Sequence, residues 1–407
     1  MSSNDTCWHL DCVSDLRDGL ADLRNGHEPP RLVILDPEAV FDGEPLDLAL
    51  EFLREFSSMY NERLIDLKFG GPSTNQVDSA TIASLLDEVA GQVRLLHLHL
   101  VDLVGGSRPL IEALRRQNSL EEFSLLCASL FNDNSEPAAL ASCLSALPAL
   151  KKVGFDFRNT GNIGRTGREI SDAAQMETSI SLAQINGLEE LHFRSKLPVD
   201  SNLQGFFASC TAQSSLKILD IGQSCLSVSN TDLAIQMLRH NAAIEELHLG
   251  LMPDVSVSSI AGGLDANSTL RVLNINQLKP TENDSIPFLH LLRDRRNCTL
   301  QNLFFHDKPR GRRVPLPFEI DFYLRLNRSF QRKLLFSPHR NATPNEWINT
   351  IISARNDTAV VFYYLTEKPS LLLETNNNSQ SAAAKTSRSS SSNLLEPVNK
   401  KPKYDKE

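Results

Sequence analysis

Three hexamers, Leu188-Glu189-Glu190-Leu191-His192-Phe193, Leu216-Lys217-Ile218-Leu219-Asp220-Ile221 and Ile244-Glu245-Glu246-Leu247-His248-Leu249, share one pattern, apolar-x-x-apolar-x-apolar, and stand 28 residues apart. The apolar residues two apart belong to one face of a short strand, because side chains alternate along an extended chain. Toward the N-terminus the pattern continues at Leu150/Val153/Phe155, Leu120/Phe123/Leu125, Leu95/Leu98/Leu100 and Leu64/Leu67/Phe69. Toward the C-terminus it continues at Leu270/Leu273/Ile275 and Leu300/Leu303/Phe305. The intervals run 31, 25, 30, 38, 28, 28, 26 and 30 residues. One such hexamer carries nothing; nine in register define a repeat.

The segments between strands are long enough to return by a helix. Thr81 to Val89 places Ile82, Leu85, Leu86 and Val89 on one helical face, and Asn230-Thr231-Asp232 offers N-cap chemistry before Ile235 and Leu238. Polar elements such as Gln117-Asn118-Ser119 and Ala266-Asn267-Ser268-Thr269 lead into the following strands. No unit can bury its apolar strand face alone, so the units stack, with a parallel sheet on the inner wall and helices outside.

The three central hexamers resemble leucine-rich repeats, and intervals near 28 are similar to those of the ribonuclease-inhibitor-like subclass, with a full helix in each repeat. The resemblance covers roughly residues 30–306 and implies an α/β fold: a leucine-rich repeat solenoid, or horseshoe, with a parallel inner sheet, outer helices and a helical C-terminal cap. The paired, cysteine-rich repeats of the inhibitor are missing, so its activity is not carried over.

Residues 1–62 read as an acidic N-terminal helical cap with a first irregular repeat. Leu10, Val13, Leu16, Leu20 and Leu23 follow helical spacing, and Arg31 to Leu35 reads as a strand. Residues 63–306 are the solenoid and 307–373 a basic helical cap packed on the last repeat. In that cap Thr343-Pro344-Asn345-Glu346 combines an N-cap threonine, a proline at the first helical position and a glutamate three residues on. Residues 374–407, rich in Asn, Ser, Ala and Lys, are expected to be a disordered tail.

Composition closes several classes. The hydrophobic share of 41% and charged share of 22% are those of an ordinary globular protein. No run of 18 apolar residues exists for a membrane span, and no basic-then-apolar signal opens the chain. Seven scattered cysteines suit a reducing compartment, so the expected location is intracellular, in the cytoplasm, the nucleus or both. The Asn-x-Ser/Thr triplets at Asn267, Asn297 and Asn341 then read as chance matches. The net charge of −9 hides an acidic N-terminal segment, 14 Asp/Glu against 4 Lys/Arg in residues 1–62, and a basic segment around 306–340.

The candidate site is the inner strand face, whose exposed columns carry Lys68, His97, His99, Glu122, Glu190, His192, Asp220, Glu246, His248 and Asn274. Such mixed charge suits a protein partner better than nucleic acid, which asks for a consistently basic track. His99, His192 and His248 belong to separate units and cannot converge on a metal. His97 and His99 share a strand face, with no carboxylate or Cys to complete a site. Arg158 to Arg168 lacks the Gly-Lys-Ser/Thr ending of a phosphate loop and reads as an inserted rim loop open to partner contact. Lys308, Arg310, Arg312 and Arg313 form a basic patch for an acidic or phosphate-bearing partner, or for the acidic cap of a second copy in head-to-tail association. Lys400, Lys401 and Lys403 resemble a short nuclear import signal.

No nucleophile, base and orienter stand at a known spacing, and no cofactor fingerprint is present. The expectation is a non-enzymatic scaffold or adaptor that binds a protein on the concave face and takes no cofactor, metal, membrane or small-molecule substrate. Two alternatives rest on resemblance: a GTPase-activating protein, since the Ran activator is similar in its repeat subclass, and a ubiquitin-ligase substrate receptor, since Leu316-Pro317-Phe318-Glu319-Ile320 with Trp347 resembles the start of an F-box. That box usually precedes such repeats.

Overall fold

The computed structural model describes residues 7–10, 12–27, 32–35, 44–70, 76–99, 102–126, 130–157, 170–195, 203–251, 255–277, 282–294, 296–307, 312–328, 343–353 and 355–367. The chain falls into two compact units, residues 1–328 and 329–407.

In the first unit the strands are β1 (Cys7–Leu10), β2 (Leu32–Leu35), β3 (Ile65–Gly70), β4 (Gln76–Asp78), β5 (Val93–His99), β6 (Asp102–Val104) and β7 (Glu122–Leu126). They continue as β8 (Lys152–Asp156), β9 (Glu190–Arg194), β10 (Ile218–Leu226), β11 (Glu246–Leu251), β12 (Val272–Gln277), β13 (Asn302–Asp307) and β14 (Arg312–Val314). Between them run α1 (Val13–Arg24), α2 (Glu44–Met59), α3 (Ser79–Glu88), α4 (Arg108–Leu114), α5 (Glu136–Ser145) and α6 (Asp172–Ala183). After these come α7 (Gln204–Ala212), α8 (Val228–His240), α9 (Val257–Leu264), α10 (Ile286–Arg293) and α11 (Phe318–Arg328). The second unit contributes α12 (Pro344–Ser353) and α13 (Thr358–Glu367).

Twelve of the strands form one sheet in the order β1-β2-β3-β5-β7-β8-β9-β10-β11-β12-β13-β14, and β4 pairs β6 in a small second sheet. Every neighbour in the large sheet is parallel except the closing β13–β14 hairpin. The fold is the expected α/β leucine-rich repeat solenoid. One buried column crosses the sheet through Leu67, Leu96, Phe123, Val153, Leu191, Leu219, Leu247, Leu273 and Leu303. It merges with the inner faces of the helices into one apolar core.

That column corrects the second repeat. Leu96 and Leu98, not Leu98 and Leu100, align with Leu67 and Phe69, so its motif is Val93/Leu96/Leu98 and the first two intervals become 29 and 27 residues. The run from Leu95 to Leu100 offers leucine at two registers, and only the neighbouring strands decide between them.

Local chemistry also moves several ends. Asp78 caps α3, its carboxylate accepting from the Ala80 N–H at 2.9 Å, and Ser227, not the Asn230 cluster, caps α8. Leu10 sits in β1, ahead of α1. The basic cap expected from 307 begins inside the first unit, where β14 and α11 continue the solenoid. In the second unit, the Thr343–Glu346 capping box forms: Thr343 N–H donates to Glu346 Oε2 at 2.8 Å, and Glu346 N–H to Thr343 Oγ1 at 3.3 Å. On α12, Trp347 is buried and meets the buried Tyr364 of α13 edge-on, whereas Ile348 and Ile352 are exposed. Among the described residues no helix is long and apolar enough to cross a membrane.

A polar ladder locks successive repeats. Asn267 Nδ2 donates to the carbonyls of Leu238 and Asn241, while its Oδ1 accepts from Thr269 N–H and Leu270 N–H at 3.0 and 2.8 Å. Asn241 and Asn297 make the same four contacts one repeat away on either side, and Asn327 reaches Leu300. Asn267 and Asn297 are 6% and 2% exposed, so both glycosylation triplets are spent inside the ladder. Asn341 lies outside the described residues.

Candidate functional site

Because strand side chains alternate, the residues between the buried ones all point to the sheet's open face, away from the helices. The register sorts them into three rows. The first runs Asp66, Leu95, Glu122, Lys152, Glu190, Ile218, Glu246, Val272 and Asn302. The second runs Lys68, His97, Ser124, Gly154, His192, Asp220, His248, Asn274 and Phe304. His99 stands in the third, beside Leu126. The expected site residues therefore do share one face. The two-residue register shift moves His97 and His99 along it without turning them over.

The face is knitted by bonds between neighbouring strands. His97 Nε2 donates to Glu122 Oε1 at 2.7 Å, and His99 Nε2 shares a 2.8 Å hydrogen bond with Ser124 Oγ. The two imidazoles stack with centroids 4.8 Å apart. Lys152 Nζ meets Glu190 Oε1 at 2.7 Å. Arg194 donates through Nη2 and Nε to Asp220 Oδ2 at 2.9 and 3.1 Å, and His192 Nδ1 lies 3.4 Å from the same oxygen. Farther along, His248 Nε2 lies 2.7 Å from Glu246 Oε1, and Asn274 Nδ2 lies 3.4 Å from His248 Nδ1. A carboxylate does stand against the His97/His99 pair, contrary to the expectation from sequence. Even so, among the described residues no group of three or more His, Cys, Asp or Glu could hold a metal ion.

These contacts set the electrostatics. Burial, with the nearby His97 and Lys68, lowers the pKa of His99 to about 4. The hydrogen bond from His97 holds Glu122 below its ordinary value. Burial pushes Asp220 up, but the bonds from His192 and the Gly222 N–H and the Arg194 charge outweigh it and hold the carboxyl well below the usual range. Lys152 is raised by its bond to Glu190. The Ser124–His99 pair has the look of a nucleophile and base. However, the acid bonds His97 rather than His99, and an imidazole with a pKa near 4 is a weak base at neutral pH.

At the centre of this network lies a depression of about 170 Å³. Its floor is Gly154 and Ser124, and its sides are His97, His99, Leu126, His192 and Arg194. Beneath it Phe123, Phe155, Phe157 and Phe193 are packed with successive ring centroids 5.6 to 5.9 Å apart, a rigid apolar base. The expected site omitted Arg194, Lys152, Ser124 and Gly154. The alternation that found the other residues contains them too, but the depression is a property of side-chain size across four strands, β5, β7, β8 and β9.

Of the basic patch, Arg312 is exposed on β14 and Arg313 lies 3.9 Å over the Phe304 ring, so one of its cations already covers the end of the second row. Lys308, Arg310, the Arg158–Arg168 loop and Lys400, Lys401 and Lys403 lie outside the described residues.

No protein-family model matches this chain. No curated protein matches it either. Among solved structures it is similar to an internalin, InlF, from Listeria monocytogenes, at 13% identity and a TM-score of 0.35, over 72% of this chain and 88% of the other. With a superposition that loose, the fold rests on the register of the chain's own sheet.

Proposed function

We propose that this chain is a non-enzymatic scaffold or adaptor that holds a protein partner on the open, concave face of its solenoid. The observation that carries the reading is the bonded, mixed-charge surface from β5 to β11 with a depression at its centre. Side chains already ordered by their neighbours lose less freedom on binding, which favours recognition. The repeats accord with the ribonuclease-inhibitor-like subclass, since a helix stands between most successive strands of the large sheet. An intracellular setting is supported by free cysteines at 12, 143 and 210, of which Cys143 and Cys210 are buried.

The test is affinity capture of the chain from native lysate beside a Glu190→Arg/Glu246→Arg variant and a control, Glu177→Arg, on the exposed side of α6. The expected result is a stoichiometric partner lost by at least about tenfold in the double variant alone, with thermal stability lowered only slightly because both pairs are part-exposed and such pairs contribute about 1 kcal/mol or less. A partner that survives the double reversal would show that the open face is not the contact.

A further inference from the structure

Glycine inside a strand weakens it, so each one asks for a reason. At Gly250 the reason is backbone: an added Cβ would stand 1.6 Å from the Ser224 carbonyl oxygen. At Gly222 it would stand 2.6 Å from the Asn276 amide, which donates to the Gly222 carbonyl. Gly154 has no such constraint. Its backbone is not among the positive-φ glycines, and the nearest atom to an added Cβ is the Ser124 hydroxyl at 3.1 Å. What the missing side chain does at 154 is open the depression.

The groups around that opening are already matched. Glu122 is held by His97, Lys152 by Glu190, Arg194 by Asp220 and His99 by Ser124, and Asp156 is likewise engaged. A charged group entering must shed its water and then share an opposite charge that already has a partner in a part-buried site, so its gain is small against its desolvation cost. An uncharged group breaks none of these pairs, and the paired rim then shields it from water, as around an interface hot spot. The size agrees: a cavity of about 150 Å³ accommodates benzene, and this one is about 170 Å³.

We propose that the depression at Gly154 is an anchor pocket for one uncharged apolar or aromatic side chain, about benzene-sized, presented by a protein partner. This rests on the reading of the open face as the partner surface and adds what the partner must present there. The neutral state of His99 near physiological pH fits an apolar occupant.

The experiment needs no partner. The full chain is titrated with N-acetyl-phenylalaninamide, N-acetyl-leucinamide, N-acetyl-lysinamide and the amide of N-acetyl-glutamate, while the ring C–H resonances of His99 and His192 are followed by NMR. The expected result is saturable shifts with the two uncharged amides in the millimolar range and at least about tenfold weaker responses with the two charged ones. Gly154→Leu, which fills the space from below, should abolish the response while His240, on the helical side, stays unmoved. Equal or stronger responses to a charged amide, no saturable response to either uncharged one, or a response that survives in a folded Gly154→Leu chain would overturn the proposal. If that variant does not fold, the four-probe comparison on the unaltered chain decides alone. The pocket and the broader reading fail separately: the amides test the pocket without a partner, and reversal of Glu246 alone, which does not line the depression, tests the face without the pocket.

Discussion

His99 is the residue whose surroundings most alter its chemistry. Its folded-state pKa of about 4 lies below the 6.5 of a free imidazole, so protonation favours the unfolded chain. The stability linked to His99 is fully present above about pH 6.5 and is lost as pH falls toward 4. Glu122, also depressed, adds a further loss at lower pH as its carboxylate takes a proton. In an NMR titration His99 is expected to show a midpoint near 4, well below the 6.5 of a free imidazole, and unfolding midpoints should fall from pH 6.5 to 4. A His99→Gln chain should lose the part of that slope that belongs to the imidazole. If His99 titrates near the 6.5 of a free imidazole, the burial argued for the depression is wrong. None of this could be read from sequence: alternation puts His99 on the open face, but its burial depends on how the side chains of neighbouring strands pack around it.

At the scale of the element, strand and ladder residues behave differently from their neighbours. Gln117 and Asn118 are adjacent and both polar, yet Gln117 is buried, donating to the Leu86 carbonyl and accepting from the Gly91 N–H, while Asn118 is exposed. Asn267 occupies the equivalent place three residues before its strand motif. Replacing it by Ala takes a partner from the buried Leu270 N–H, the part-buried Thr269 N–H and the Leu238 and Asn241 carbonyls, and at roughly 1–3 kcal/mol for an unsatisfied buried group the variant should lose at least about 2 kcal/mol in urea unfolding. Asn118→Ala should stay within about 0.5 kcal/mol. Equal losses would mean the ladder is incidental. The strands themselves were legible, because a period of two with a burial reward cannot slip by one residue without exposing the core. The slip by two at Leu95–Leu100 was not, since a shift of two preserves the face. A second signal lies two residues before the central apolar position of the motif, where Arg94, Glu121, Lys151, Glu189, Lys217, Glu245 and Arg271 alternate in sign from repeat to repeat. Glu121–Lys151, Glu189–Lys217 and Glu245–Arg271 pair across neighbouring units. Exposed pairs contribute little each, but their alternation tells neighbouring units apart from next-nearest ones and places Arg94 in line with the corrected second repeat.

At the scale of the whole molecule, stability in stacked repeats is a sum of unit and neighbour terms, so an end exposed without a cap should fray. The described C-terminal end of the first unit closes through β14, which turns antiparallel on β13, and α11, where Asn327 finishes the ladder on the Leu300 carbonyl and Leu324 joins the core. These elements fall on the solenoid side of the division at Arg328, although composition alone groups them with the basic segment that follows. The boundary was hidden because charge reports on the exposed surface, whereas the cap is set by Ile320 and Leu324, two apolar residues spaced one helical turn apart. A chain ending at Arg328 should therefore fold alone and retain the His99 midpoint and the response to the uncharged amides. One ending at Asp307, which keeps all nine motifs but loses β14 and α11, leaves Phe305 and Leu303 without their cover and should melt earlier, with exchange protection lost first in β13. Circular dichroism melts and amide exchange on the two truncations check this. Equal protection of β13 in both would mean the last repeat closes the solenoid unaided and that β14 and α11 serve the surface rather than the core.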